Sequence, residues 1–153
     1  MEQMTNGRLD MPATALITRG VRRWLAALGM ASVTEFTLKT GRRADVMAVD
    51  AAGCLTIVEV KSSIADFRAD RKWHEYAPFC DRFYFAVGET FPVDILPDDS
   101  GILVADAYGA IVLRDAPAMK MAGARRKALT LRLAMVAGAR LHLAEDPGLP
   151  LAG

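Results

Sequence analysis

Residues 44–60 constrain the fold more than any other stretch of this chain. Ala44–Val49 and Leu55–Val60 are short, apolar runs rich in valine, alanine and isoleucine, and β-branched residues favour strands. Between them stands Asp50-Ala51-Ala52-Gly53. Asp suits the first position of a type I turn, and Gly supplies the left-handed residue that follows. This is the pattern of a three-residue hairpin loop closed by a glycine bulge. Asp50 then faces Cys54, and stepping outwards pairs 49 with 55, 47 with 57, 45 with 59 and 43 with 61.

Side chains alternate faces along a strand. One face of this hairpin therefore carries Val49, Leu55, Met47 and Ile57, then Asp45 beside Glu59, then Arg43 beside Lys61. The other carries Ala44, Val46 and Ala48 against Val60, Val58 and Thr56. Both faces are largely apolar, so the hairpin is expected to be central and covered on both sides. Four charged residues at one end of one face are the exception.

Directly opposite residues have Cβ atoms ~4.5–5.5 Å apart. Two carboxylates at that range repel, and burying an unpaired charge is costly. Two readings follow. In one, Asp45 and Glu59 hold a divalent cation, since hard cations take oxygen ligands, with the backbone carbonyl of Val60 as a further ligand. Lys61 beside it would orient a water or stabilise developing charge, an arrangement suited to hydrolysing a phosphodiester. In the other, the acids pair with Arg43 and Lys61 at an exposed sheet end, where ion pairs contribute little.

The rest of the chain reads as alternating helices and strands. Met11–Leu28 has Ile17, Val21, Trp24, Leu25 and Leu28 at helical spacing, with Gly29 as a stop. Val33–Lys39 alternates weakly before the Thr40-Gly41 turn. Ile64–Cys80 reads as a second helix with Ala69, Trp73, Tyr76, Ala77 and Cys80 as its apolar stripe. Arg82–Val87 is a buried strand, and Ile102–Ala107 and Ala110–Leu113 form a hairpin around Tyr108-Gly109. Ala122–Leu143 closes the pattern as a basic, apolar helix, and Asp146–Gly153 as a non-helical tail. The order is α-β-β-β-α-β-β-β-α, an α/β or α+β arrangement of a sheet between helices.

The chain has 153 residues, the size of one ordinary domain, so 1–153 is expected to fold as one unit. With 52% hydrophobic residues it needs no disulfide framework. Cys54 and Cys80 sit in apolar contexts and read as buried thiols. With two His as well, His74 and His142, the paired spacing of a zinc site is missing. Glu2 and Arg8 interrupt the N-terminus, and Arg132, Gly138, Arg140 and His142 interrupt the longest apolar stretch. Neither a signal peptide nor a membrane span is expected, and a soluble, cytoplasmic protein follows. The net charge of +1 gives no global basic excess, so contact with nucleic acid would need a local patch.

Arg43-Ala44-Asp45, thirteen intervening residues and Glu59-Val60-Lys61 resemble the PD-(D/E)XK nuclease motif. The resemblance implies a restriction-endonuclease-like α-β-β-β-α-β core with a central mixed sheet. It also implies that Asp45, Glu59 and Lys61 are catalytic, with Asp45, Glu59 and Val60 holding Mg²⁺ (or Mn²⁺ as a substitute). Ala44 stands where the motif has Pro, and the first helix offers no acid between Met11 and Gly29. Many members place a supporting Glu there. Glu35 would serve instead, but simple alternation from Thr40-Gly41 sets it on the wrong face, so a bulge would be needed.

Longer blocks carry a narrower resemblance. They are Glu35-Phe-Thr-Leu, Gly41-Arg-Arg-Ala-Asp-Val, Ile57-Val-Glu-Val-Lys-Ser-Ser, Asp66-Phe-Arg-Ala-Asp-Arg-Lys-Trp-His-Glu-Tyr and Cys80-Asp-Arg-Phe-Tyr-Phe-Ala-Val87. Together they resemble the bacterial MmcB-like DNA repair family, which implies a role in DNA repair on a nuclease-like fold.

Arg43, Lys72 and Tyr76 are candidate supporting groups. Arg42, Arg125, Arg126 and Lys127 are candidate contacts to DNA phosphates, with Arg22, Arg23, Arg132 and Arg140 adding basic groups. Asp66 reads as a helix-capping acid, Trp73 as core and His74 as structural. Three functions stay open: a Mg²⁺-dependent nuclease acting on DNA, a non-catalytic DNA-binding accessory, and an interaction module forming a homodimer or joining a repair partner.

Overall fold

A computed structural model describes residues 11–70 and 72–148. The chain is an α/β protein built on one six-stranded mixed sheet with strands in sequence order. Helix α1 (Ala13–Ala27) leads into strands β1 (Ala31–Thr37), β2 (Arg43–Val49) and β3 (Leu55–Val60). Helix α2 (Ile64–Ala69) and a 3₁₀ helix (Trp73–Phe79) precede β4 (Arg82–Val87). A short 3₁₀ turn (Val93–Ile95), β5 (Gly101–Ala105), β6 (Ala110–Arg114) and α3 (Gly123–Glu145) complete the order. β1–β2–β3 is an antiparallel meander, β3–β4 and β4–β5 are parallel, and β5–β6 is an antiparallel hairpin.

Both faces of the sheet are covered. Val46, Ala48, Val58, Val60, Tyr84, Ala86 and Leu103 face α1, which inserts Ile17, Val21 and Leu25. Met47, Leu55, Ile57, Phe83 and Phe85 face the other way, against Trp73, Tyr76, Phe79, Leu129 and Leu133. Every residue of β3 is buried, as a strand with a parallel neighbour and two covered faces requires. Gly20 lets α1 sit this close: a Cβ there would meet the Asp106 carbonyl oxygen at 1.7 Å.

The expected helix over Ile64–Cys80 is two pieces. α2 stops at Ala69, and Asp70 takes an extended backbone (φ −96°, ψ 96°). Asp70 leaves the helix because its carboxylate is bonded to Lys61 and to the Lys72 amide. Pro78, lacking an N–H, sits inside the 3₁₀ segment. Trp73 is core, stacked on Phe83, whereas His74 is exposed and faces Asp99. Cys80 is buried and Cys54 half-buried, both as free thiols. Of the tail, Asp146–Gly148 follows α3 without helix, and 149–153 lie outside the described residues. No helix among the described residues is long and apolar enough to cross a membrane.

Candidate active site

The β2–β3 ladder follows the expected register from Val49↔Leu55 to Val46↔Val58 and stops there. The expected pairs 45↔59 and 43↔61 do not form as backbone pairs. Instead two carboxylates enter the gap. Glu59 Oε1 accepts from the Asp45 amide at 2.9 Å, and Asp45 Oδ2 accepts from the Val60 amide at 2.8 Å. Each acid thus satisfies a backbone donor of the opposite strand, and the strands splay around the pair.

A second irregularity turns Asp45 toward α1. Val33 and Met47 share a face with Phe36, Leu38 and Ala44, although strict alternation would separate odd from even positions. Register is nonetheless continuous, from Thr34↔Val46 to Phe36↔Ala44. Both strands therefore change phase at the unbridged Glu35/Asp45 level. Glu35 absorbs the change with φ 51°, a left-handed conformation rare outside glycine. No residue is inserted, so the bulge that Glu35 was expected to need is replaced by this matched slip.

The slip delivers both acids to one cavity of about 490 Å³. Its walls are Thr14, Ala15 and Thr18 of α1, Thr34 and Glu35 of β1, Asp45 of β2, Glu59 and Val60 of β3, Lys61 just after it, and Asp66 of α2. Where an acid was sought on the first helix, the cavity meets two threonines. Asp66 is the capping acid it was read as: its amide donates to Ser63 Oγ (3.0 Å) and its carboxylate accepts from the Ser62 amide (3.2 Å).

Glu59 is 3% and Lys61 6% exposed. Burial, reinforced by the neighbouring Asp45 charge, pushes the Glu59 carboxyl well above its ordinary range. Burial likewise raises Asp45, against the Val60 amide that favours its ionised form. Lys61 does not pair with either acid. Its amide donates to the Ala86 carbonyl (3.0 Å), and its Nζ donates to Asp70 at 2.9 Å. Burial works to raise the Asp70 carboxyl, but the Lys61 and Lys72 hydrogen bonds outweigh it and hold it below the ordinary carboxylate range. The reading in which Lys61 and Arg43 neutralise the acids at an exposed sheet end is therefore replaced. Arg43 is exposed and lies 3.8 Å from Glu35.

Tyr76 and Lys72 differ. Tyr76 is buried and donates to the Arg43 carbonyl at 3.1 Å, fixing the start of β2. Burial first, and then the Glu59 charge, push its phenol up to about 12. Lys72 contributes its backbone amide to Asp70, and its side chain is exposed. Asp70 is the residue that the sequence pattern hid. Its spacing from Asp66 matches one helical turn, so nothing local marks it as the partner of Lys61.

The basic candidates do not gather at the cavity. Arg42 is ion-paired with Glu75 and lies over the Tyr76 ring. Arg126 forks onto Asp81 and donates to the Gly53 carbonyl at the hairpin turn, the opposite end of β2–β3 from the acids. Arg125 caps the Phe79 ring at 4.9 Å. Lys127 is exposed on α3, which packs on the sheet face away from α1.

Asp45 and Glu59 offer hard oxygen donors, and Val60 lines the same cavity. Among the described residues no group of three or more His, Cys, Asp or Glu side chains could hold a metal ion. Two carboxylates suit Mg²⁺, which keeps several waters and commonly takes one or two protein carboxylates.

A search among curated proteins finds no match. Among solved structures, the SPO1766 protein of unknown function from Silicibacter pomeroyi superposes with a TM-score of 0.91 at 44% identity, over 95% of this chain and 100% of that one. The family model described as DNA repair protein MmcB-like matches residues 2–148. Spanning nearly the whole chain, that match places the protein in the MmcB-like family of DNA repair proteins.

Proposed function

We propose that this protein hydrolyses DNA phosphodiester bonds with Mg²⁺ held by Asp45, Glu59 and the Val60 carbonyl. One observation carries the reading: a buried carboxylate, Glu59, and a half-buried one, Asp45, from neighbouring strands open the backbone ladder and share a cavity with a buried lysine. Mutual repulsion and burial both oppose ionisation of such a pair, and the two backbone amides it accepts from offset that only in part. A bound divalent cation relieves that conflict and supplies both polarisation of a phosphate oxygen and a more acidic water. The α-β-β-β-α-β order is the one expected of the PD-(D/E)XK core.

The chain's own groups divide the remaining work. Asp70 anchors the Lys61 Nζ at 2.9 Å, and Lys61, as part of the cavity wall, is the group to stabilise developing negative charge. Thr14 offers a hydroxyl from α1 for positioning water or phosphate, whereas the Thr18 hydroxyl donates to the Thr14 carbonyl at 2.7 Å and is left to accept from water. Glu35 and Asp66 add further carboxylates at the cavity wall.

Isothermal titration of Mg²⁺ and Mn²⁺ into wild type and Glu59→Ala, with single-stranded, duplex and branched DNA incubated in parallel, tests this. Binding and cleavage that both vanish in Glu59→Ala support it. Wild type that binds no metal overturns it. DNA binding without turnover would favour the second reading, a non-catalytic accessory, which the absence of an acid on the cavity side of α1 favours.

A further inference from the structure

The two edges of the sheet are treated in opposite ways. β1 and β6 are its outer strands. Along β1 the carbonyls of Ser32, Thr34 and Glu35 are engaged. Arg22 donates to Ser32 O at 3.1 Å and to Ser32 Oγ at 3.0 Å. Arg140, reaching from α3, donates to Thr34 O and to Glu35 O. Charged side chains laid over an edge are a common protection against strand addition.

β6 has no such cover among the described residues. The Asp106 amide bonds the Gly109 carbonyl across the turn. Alternation along an antiparallel ladder then makes Val104↔Ile111 a hydrogen-bonded pair and turns the N–H and C=O groups of Ala110 and Val112 away from β5. Among the described residues no side chain bonds the backbone of Ala110–Arg114. Its side chains are apolar and exposed on both faces: Ile111 66%, Leu113 53%, Val112 39%, with Tyr108 at 64% in the adjoining turn. Charge and proline, two of the ordinary guards of an edge, are missing between Gly109 and Leu113.

We infer that β6 is where two copies of this chain join, edge to edge and antiparallel, into one continuous sheet. The strand is complementary to itself. A two-fold axis through Ile111 sets Ala110 opposite the second copy's Val112, and Val112 opposite its Ala110. Both residues present donor and acceptor outwards, so every outward group between them finds a partner. Ile111 meets Ile111, and no like charges face each other within the paired segment. The flanks also match. Arg19 and Arg23 lie over the Tyr108 ring at 5.8 and 6.0 Å. The same register carries Tyr108 to the end of the second copy's strand, where Asp115 stands on the α1 side of the sheet, bonded to Tyr84. The joint is closed by its symmetry and ends at two copies.

The contact is short, so association is weak, with a Kd on the order of 10–100 μM. Sedimentation equilibrium of the full chain over that range, with Val112→Pro and Ile111→Lys beside wild type, tests the proposal. Val112→Pro removes a donor that β5 does not use, and Ile111→Lys sets like charges across the axis. Wild type is expected to dimerise, and both variants to stay monomeric with unchanged far-UV circular dichroism. Hydrogen exchange supplies a readout that needs no variant: the Ala110 and Val112 amides should gain protection as wild type is concentrated. A wild-type monomer throughout, a dimer persisting in both variants, or a dimer with freely exchanging Val112 overturns the proposal. So does a monomer whose Val112 amide is protected, because another segment would then cover the strand.

Discussion

Lys61 Nζ lies 2.9 Å from the Asp70 carboxylate, and both side chains are mostly withdrawn from water. This pair joins β3 to the residue that ends α2. Asp70→Ala leaves the buried ammonium without its partner. The expected loss is about 2 kcal/mol, the scale of a hydrogen bond to a charged group, read as a lower urea midpoint with an unchanged m-value. If Lys61 acts on the proposed substrate, cleavage falls more than stability accounts for, and Asp70→Asn falls between wild type and Asp70→Ala.

The acidic pair sets an expectation for metal addition. A ligand that binds only the folded state stabilises it by RT ln(1 + [L]/Kd), about 2.7 kcal/mol at a hundredfold excess over Kd. Mg²⁺ should therefore raise the Tm of wild type, and a chelator should return it. Glu59→Gln keeps the shape of the protonated acid and removes the charge. It is expected to unfold near the wild-type temperature without metal and to show no rise with Mg²⁺. A rise of equal size in Glu59→Gln would show the ion binding elsewhere.

The hairpin was legible because a short turn fixes register and register fixes neighbours. Asp50 and Gly53 sufficed to align Val49 with Leu55 and to bring Asp45 near Glu59. The strands β3 and β4 were legible because continuous apolar runs leave few alternatives. The exchange of backbone bonds for carboxylates was not, since it requires the two acids to outcompete the ladder for the Asp45 and Val60 amides. The phase slip at Glu35 was anticipated as a need but not as a form, because it is shared between two strands. The break at Asp70 was hidden for a related reason. Helical spacing is a local signal, and the attraction of Lys61 acts across the fold. The same holds for Arg126, which a basic stripe marks as a DNA contact and which the structure engages with Asp81.

Gly20 supplies a test of how α1 is seated over the cavity. A Cβ at this position would lie 1.7 Å from Asp106 O and 2.6 Å from Gly109 O, both backbone atoms that cannot rotate aside. Gly20→Ala normally favours a helix, so a surface glycine would gain stability. Here overpacking is expected to dominate and to cost about 3 kcal/mol, seen as a lower Tm. Because α1 carries Thr14 and Thr18 into the cavity wall, metal affinity should weaken in the same variant. An unchanged or higher Tm would mean that the helix and the β5–β6 turn can separate freely.

Asp81 predicts how stability responds to acid. The Arg126 fork, the largest influence, is opposed next by burial, and with the Leu55 amide at 2.7 Å it holds the carboxyl below the ordinary range. A carboxyl depressed in the folded state stabilises the protein fully above its unfolded value of about 3.9. That contribution is lost as pH falls from there through the folded pKa. Asp81→Asn should therefore be less stable than wild type at pH 7. The gap between the two should close only below about pH 4, measured by urea unfolding at a series of pH values. Arg126→Ala should lose part of the same acid-sensitive stability, since the Leu55 bond to Asp81 remains. A gap that stays constant down to acid would place the role of Asp81 in its shape rather than its charge. The Arg126 fork would then act through the Gly53 carbonyl alone.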